Sequence, residues 1–342
     1  MKFLRLVPRG RSQWRWLLLR WTVVSVFLLS GLSWMTSVPD SSYSGPFQPL
    51  SEDEVFIRDR LKKHVVKLAD DIGERNVWHY EGLEASVQYI ENVLVGLGYQ
   101  VGRHEFQVEG TTVANVEAER IGTSMPGEIV IVGAHYDSII GSPGANDNAS
   151  GVAGLLELAR LVATGEPSRT VRFIGFVNEE PPFYYTDDMG SRVYSSRSRR
   201  RGEKIVAMLA LETIGYYSEV AWSQRYPFPF SFFYPSTGNF IGFVGNISSR
   251  GLVRRAIRTF REHTDFPSEG LAAPGWVTGV GWSDHWSFWK EGYPAIMVTD
   301  TALFRYEHYH TPQDTSDRID YARLARVVSG LTRVVAELAG TK

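Results

Sequence analysis

Cysteine is absent from all 342 residues. Its absence excludes a disulfide framework, a thiol nucleophile and any Cys-ligated metal centre. A metal bound here must be held by His, Asp and Glu. A thiol-free chain also suits an oxidising compartment, without fixing one. A surplus of charge of either sign is missing too: 36 Lys and Arg stand against 38 Asp and Glu, a formal net charge of −2. No basic excess covers a phosphate backbone, so the chain is not expected to bind nucleic acid. With 43% apolar and 22% charged residues, it is neither disordered nor collagen-like. There is no His-Glu-x-x-His helix and no Gly-x-Ser-x-Gly elbow, and the turn at 141–144 lacks the Gly-Lys-Ser/Thr of a phosphate loop. No internal repeat is found.

Acidic residues are missing before Asp40. Lys2, Arg5, Arg9, Arg11, Arg15 and Arg20 precede an apolar run over 21–35. Positive charge before an apolar run is the pattern of a membrane-inserting segment with its N-terminus in the cytoplasm. The uncharged run is short of the ~20 residues that span a bilayer. Residues 16–19 supply the difference if Arg20 reaches back to the headgroups. A cleaved signal peptide is the rival, with Gly31 and Ser33 as the best small pair, but no A-x-A-like site follows. Residues 1–36 are therefore expected to anchor the chain in a membrane. The folded part is placed outside the cytoplasm, periplasmic or extracellular, or secreted if the segment is cut. The Ser- and Pro-rich stretch 37–50 is expected to be a linker, leaving 51–342 as one folded domain.

Within that domain four runs are apolar and β-branched: 128–134 (EIVIVGA), 170–177 (TVRFIGFV), 205–211 (IVAMLAL) and 294–299 (PAIMVT). They are too continuous for half-exposed strands. Helical spacing separates the early ones, with Val152, Leu155, Leu156, Ala159 and Val162 on one face. The segments 65–97 and 324–338 are also helical in pattern. Alternating strands and helices predict an α/β fold, a mixed but mostly parallel central sheet with helices on both faces. In such sheets chemistry gathers beyond the carboxyl ends of the strands.

Those ends carry His135 and Asp137, then Glu179 and Glu180, then Glu212, then Asp300 and the loop Tyr309-His310-Thr311-Pro312-Gln313-Asp314. Asp147 projects near the start of the first helix, which Asn148 or Ser150 can cap. Uncompensated carboxylates closing apolar strands are costly. Two imidazoles and several carboxylates at one rim suit Zn²⁺, and a carboxylate between two such ions can bridge them.

The motifs HYDS, GANDNASG, NEE, LET and YHTPQDT, in this order, resemble the zinc-dependent exopeptidase family with two co-catalytic zincs. That family includes leucyl-type aminopeptidases, glutamate carboxypeptidase, glutaminyl cyclase and the transferrin receptor. The likeness spans about 55–338 and is nearest to the aminopeptidase-like bacterial members. It implies a three-layer sandwich and two zincs bridged by Asp147. His135 and Glu212 bind the first zinc, and Glu180 and His310 the second. Glu179 is the general base, and Asp137 orients His135. Ser283-Asp284-His285 matches a supporting motif. The family's usual Asp is replaced by Glu at 212, one methylene longer.

The function implied is an aminopeptidase acting on peptides. A glutaminyl cyclase-like acyltransferase using one zinc, or a non-catalytic receptor-like member, is the alternative. The aromatic stretch 216–243 is a candidate wall for an apolar side-chain pocket.

Overall fold

The computed structural model describes residues 10–341. Lys2, Arg5 and Arg9 of the basic flank lie outside the described residues. The chain divides into two compact units after Ser37. The first contains α1 (Arg11–Thr36), which buries none of its side chains within the protein. Its 26 residues make a rod ~39 Å long. Among the described residues it is the one helix long and apolar enough to cross a membrane.

The second unit starts at Val38, earlier than the expected Ser51. Residues 38–50 form no helix or strand, as a linker would, yet they are not free. Val38 and Phe47 pack on the core, and Phe47 stacks on Phe266. Arg261 Nη1 donates to the carbonyl oxygens of Pro39 and Asp40.

An eight-stranded sheet forms the middle layer. Its strands are β1 (Val101–Val108), β2 (Thr111–Arg120), β3 (Met125–His135), β4 (Arg169–Phe176), β5 (Lys204–Glu212), β6 (Ile241–Gly245), β7 (Ser268–Ala272) and β8 (Ala295–Thr299). They lie in the order β1-β2-β4-β3-β5-β8-β6-β7. The inner four are parallel, β1 and β2 pair antiparallel at one end, and β6 joins β8 antiparallel at the other.

The inner strands are mainly apolar because both faces are covered. On β3, Val130, Val132 and Ala134 enter the larger core, while Ile129 and Ile131 enter a smaller one on the opposite face. The larger core is built with α2 (Glu52–Val66), α3 (Tyr80–Gly96), α4 (Gly151–Val162), α6 (Arg250–His263) and α8 (Tyr321–Ala339). The smaller is closed by α5 (Gly190–Arg200) and α7 (His285–Lys290). At Gly133 an added Cβ would stand 2.4 Å from the Phe176 ring, so only glycine fits under it.

The expected continuous helix over 65–97 is two helices. The first unwinds at Gly73, whose φ of +82° suits glycine, and α3 restarts at Tyr80. Arg197, Arg199 and Arg200 stand in the last turn of α5, which places cations at the helix's negative end.

Candidate metal centre

The site is assembled at the carboxyl ends of the parallel strands. His135 is the last residue of β3 and Glu212 the last of β5. Glu179 and Glu180 follow β4 by three and four residues. Asp147 lies in the turn before α4, where Asp147 and Asn148 leave helical geometry. Asn148 Oδ1 accepts from the N–H groups of Gly151 and Thr213, so one side chain caps α4 and ties it to the exit of β5. Ser150 does not cap; its hydroxyl donates back to Asn146 O.

Two donor groups result. His135, Asp147 and Glu212 form one, and Asp147, Glu180 and His310 the other, with ligand atoms in each within 4.8 Å of one another. His135 Nε2 is 3.3 Å from Asp147 Oδ1 and 3.2 Å from Glu212 Oε2. His310 Nε2 is 3.0 Å from Asp147 Oδ2 and 3.1 Å from Glu180 Oε2. Asp147 thus turns one oxygen to each group. His135, Asp147, Glu180 and Glu212 are buried, and His310 is partly exposed.

These approaches lack hydrogen-bond geometry. His135 Nε2, Asp147 Oδ2, Glu180 Oε1 and His310 Nε2 are buried without a hydrogen-bond partner. Buried polar atoms are seldom left so. The charges tell the same story. Burial, then the charge of Asp147, pushes Glu180 up to about 8. Burial raises Glu212 and holds Glu179 well above the usual carboxylate range. Burial opposes charge on His310, but Asp147 and Glu180 lift it to about 10. Asp147 itself is held low against burial because His135 and His310 flank it. Such a set of acids lacks compensating positive charge, which divalent cations on these N and O donors would supply.

Asp137 ties three residues together. Its Oδ1 accepts from Glu179 N at 3.2 Å and its Oδ2 from Glu180 N at 3.1 Å. Its Oδ1 also stands 3.5 Å from His135 Nδ1, whose nearer acceptor, at 3.2 Å, is the Asp137 carbonyl. Glu179 Oε2 lies 3.9 Å from His135 Nε2. The longer side chain at 212 is steadied by Ser283 Oγ, which donates to Glu212 Oε2 at 2.8 Å. Asp284 is buried beside the site, pushed up to about 7 by burial, and His285 Nε2 bonds the Val280 carbonyl. Tyr309 stacks on His310 with ring centres 3.8 Å apart.

Asp300, expected at this rim, does not reach the donors. Its carboxylate accepts from Asn146 Nδ2, Tyr216 N and Ala302 N, a bracing role. Two residues of the surround went unassigned from sequence. Asp314 accepts from the backbone N–H of Asn146 and Asp147 and from Tyr306 Oη. Arg75 is fully buried and donates to the carbonyls of Leu68, Gly73, Tyr136, Pro143 and Gly144. In 216–243, Tyr226, Phe230, Tyr234 and Phe240 line a cavity next to Glu212 and Tyr309. Trp222, Phe228 and Phe232 instead face solvent.

Comparison with known proteins agrees with this arrangement. The chain is 39% identical over 282 residues to the Escherichia coli (strain K12) protein described as uncharacterized protein YfbL, covering 80% of this chain and 86% of that one. It is 28% identical over 283 residues to a probable leucine aminopeptidase of Arthroderma otae, covering 75% and 69%. Its fold matches BSAP, a zinc aminopeptidase from Bacillus subtilis, with a TM-score of 0.67 at 17% identity over 83% of this chain and 95% of that one. Residues 115–335 match the model of peptidase family M28, and they contain every candidate donor; the chain belongs to that family.

Proposed function

We propose that this chain is a zinc-dependent exopeptidase that removes N-terminal residues from peptides. In this reading His135, Asp147 and Glu212 hold one zinc ion, and Asp147, Glu180 and His310 hold a second. The observation that carries it is the sharing of Asp147, one oxygen per group, between the buried imidazole of His135 and the partly exposed one of His310. The orphaned Nε2 and carboxylate atoms fit metal ligation by type and by spacing. Bound zinc supplies Lewis-acid polarisation of a carbonyl and acidifies water.

The remaining work falls to the chain. Glu179 sits beside the first donor group without joining it, and burial holds its carboxyl well above the usual range, which makes its ionised form a stronger base. It is suited to take a proton from the attacking water and return it to the leaving amine. Asp137 fixes the backbone of both glutamates through its carboxylate and faces His135 Nδ1 with its backbone carbonyl, an orienting partner of the kind metal-bound imidazoles require. A fold shared across the family does not separate hydrolase from cyclase. Retention of five donors supports the hydrolase, as does the likeness to a probable leucine aminopeptidase. The likeness does not favour a receptor-like member. The anchor reading is part of this proposal: α1 spans the membrane, and the unit from Val38 works outside the cytoplasm.

The test is a panel of aminoacyl and N-terminal glutaminyl peptides given to zinc-loaded protein. Free N-terminal amino acid is the expected product, and a chelator abolishes its release. Glu179→Gln retains its zinc and loses roughly 10²- to 10⁴-fold in kcat. Pyroglutamyl product without hydrolysis, or full activity in Glu179→Gln, contradicts the reading.

A further inference from the structure

The second face of the sheet is only half covered by helices. Beyond β5, above β8, β6 and β7, loops roof a cavity of ≈ 830 Å³, open solvent at its mouth included. One register row crosses its floor from the metal centre to the sheet edge. Glu212 pairs with Thr299, Thr299 with Gly242, and Gly242 with Glu269. All four line the cavity. Three inter-strand steps separate the two glutamates, a span of ~14 Å. Gly242 keeps the middle of the row low. One end of the floor therefore carries a donor of the metal centre, and the other a second carboxylate.

The walls are apolar and aromatic, with Tyr226, Phe230, Tyr234, Trp282 and Phe304 among them. The tyrosine hydroxyls are occupied elsewhere: Tyr226 Oη donates to Pro235 O and Tyr234 Oη to Gly270 O. Glu269 is the carboxylate of this lining that lies away from the metal centre. Its side chain is 21% exposed, and the nearest guanidinium nitrogen, of Arg261, stands 3.9 Å away. That guanidinium is already engaged by Pro39 O, Asp40 O and both oxygens of Ser268. Burial raises the Glu269 carboxyl, with Arg261 and the Ser42 hydroxyl only partly offsetting it.

We propose that this cavity receives the side chain of the substrate's N-terminal residue and selects a long unbranched stem ending in a cation, lysine or arginine, whose charge meets Glu269. The proposal rests on the aminopeptidase reading, which puts the scissile bond at the Glu212 end. A lysine stem lies along apolar walls while its ammonium stays free to pair. Aromatic faces around the stem favour the cation further. A short side chain leaves the far end unfilled. A long apolar one fills it but strands the carboxylate against a methyl group, which is costly.

Zinc-loaded full-length protein is compared on L-lysyl and L-2-aminoheptanoyl p-nitroanilides, the second replacing the ammonium by a methyl. The lysyl substrate is expected to win in kcat/KM by roughly 10- to 100-fold. Glu269→Gln brings the ratio close to one, and Glu269→Asp, which keeps the charge, restores most of it. Calorimetric binding of L-lysinamide against L-2-aminoheptanamide gives the same preference without turnover. Equal or reversed preference in the wild-type protein overturns the pocket assignment and leaves the peptidase reading standing. If neither nitroanilide is cleaved, the peptidase reading fails, and the calorimetric ratio alone decides the pocket.

Discussion

Asp147 is held from behind by a residue that touches no donor atom of the metal centre. Asp314 takes the N–H groups of Asn146 and Asp147 at 2.8 and 3.0 Å and is itself fixed by Tyr306. Burial pushes its carboxyl up to about 6. Replacing it by Asn turns an amide donor toward one of the two backbone N–H groups and loosens the turn that aims Asp147. Asp314→Asn is therefore expected to weaken zinc binding by about 10- to 100-fold while the fold persists, read by competition with a coloured chelator. Unchanged affinity would show that the turn holds Asp147 unaided. His135, Asp147, Glu179, Glu180, Glu212 and His310 were legible because each is a costly polar residue at the end of an apolar run or in a polar loop beside one. Asp314 lay in the same motif as His310, but its partners are backbone groups, which a sequence does not display. Arg75 was illegible for a related reason: its five acceptors are all carbonyls, drawn from chain segments up to 69 residues away.

At the scale of elements, the strands deliver their residues through backbone turns that few side chains favour. Asn178 before Glu179, Thr213 after Glu212, and Thr301 after Asp300 have φ of +58°, +45° and +82°. Non-glycine residues in this region mark places where packing and hydrogen bonds outweigh local preference. Thr213 is secured by Asn148 Oδ1 and by a contact with Thr299 Oγ1. Arg75 does equivalent work for β3, joining its exit at Tyr136 to the 143–144 turn and to the end of the first long helical segment. Arg75→Met leaves those carbonyls without a donor and is expected to cost on the order of 3 kcal/mol, seen as a lower denaturant midpoint. A midpoint within error of wild type would mean that the carbonyls find water instead. The four inner strands were evident as unbroken apolar runs, since both faces are buried. β1 is mostly polar and partly exposed, and β6 and β7 are five-residue strands interrupted by glycine, so none stood out. The break at Gly73 was hidden by helical spacing that continues on both sides of it.

For the whole molecule, residues 38–50 belong to the second unit, where Val38 and Phe47 pack on its core. Composition suggested a linker there. The contacts of Val38 and Phe47 are with partners remote in sequence, which composition does not display. If α1 spans a bilayer as proposed, full-length protein stays in the membrane fraction through alkaline carbonate washing, and protease added outside the cytoplasm reaches the body. Recovery in the wash contradicts the anchor. Much of the layer order was implied by the strand-helix alternation, whereas the half-open second face was not, because loops and not helices cover it. The account as a whole depends on one count, the zinc bound per chain at saturation by wild-type protein and by His310→Ala. It predicts about two ions for the wild type and about one for the variant, which loses a donor of one group only. A wild-type count of one or none, or an unchanged count in His310→Ala, would contradict it.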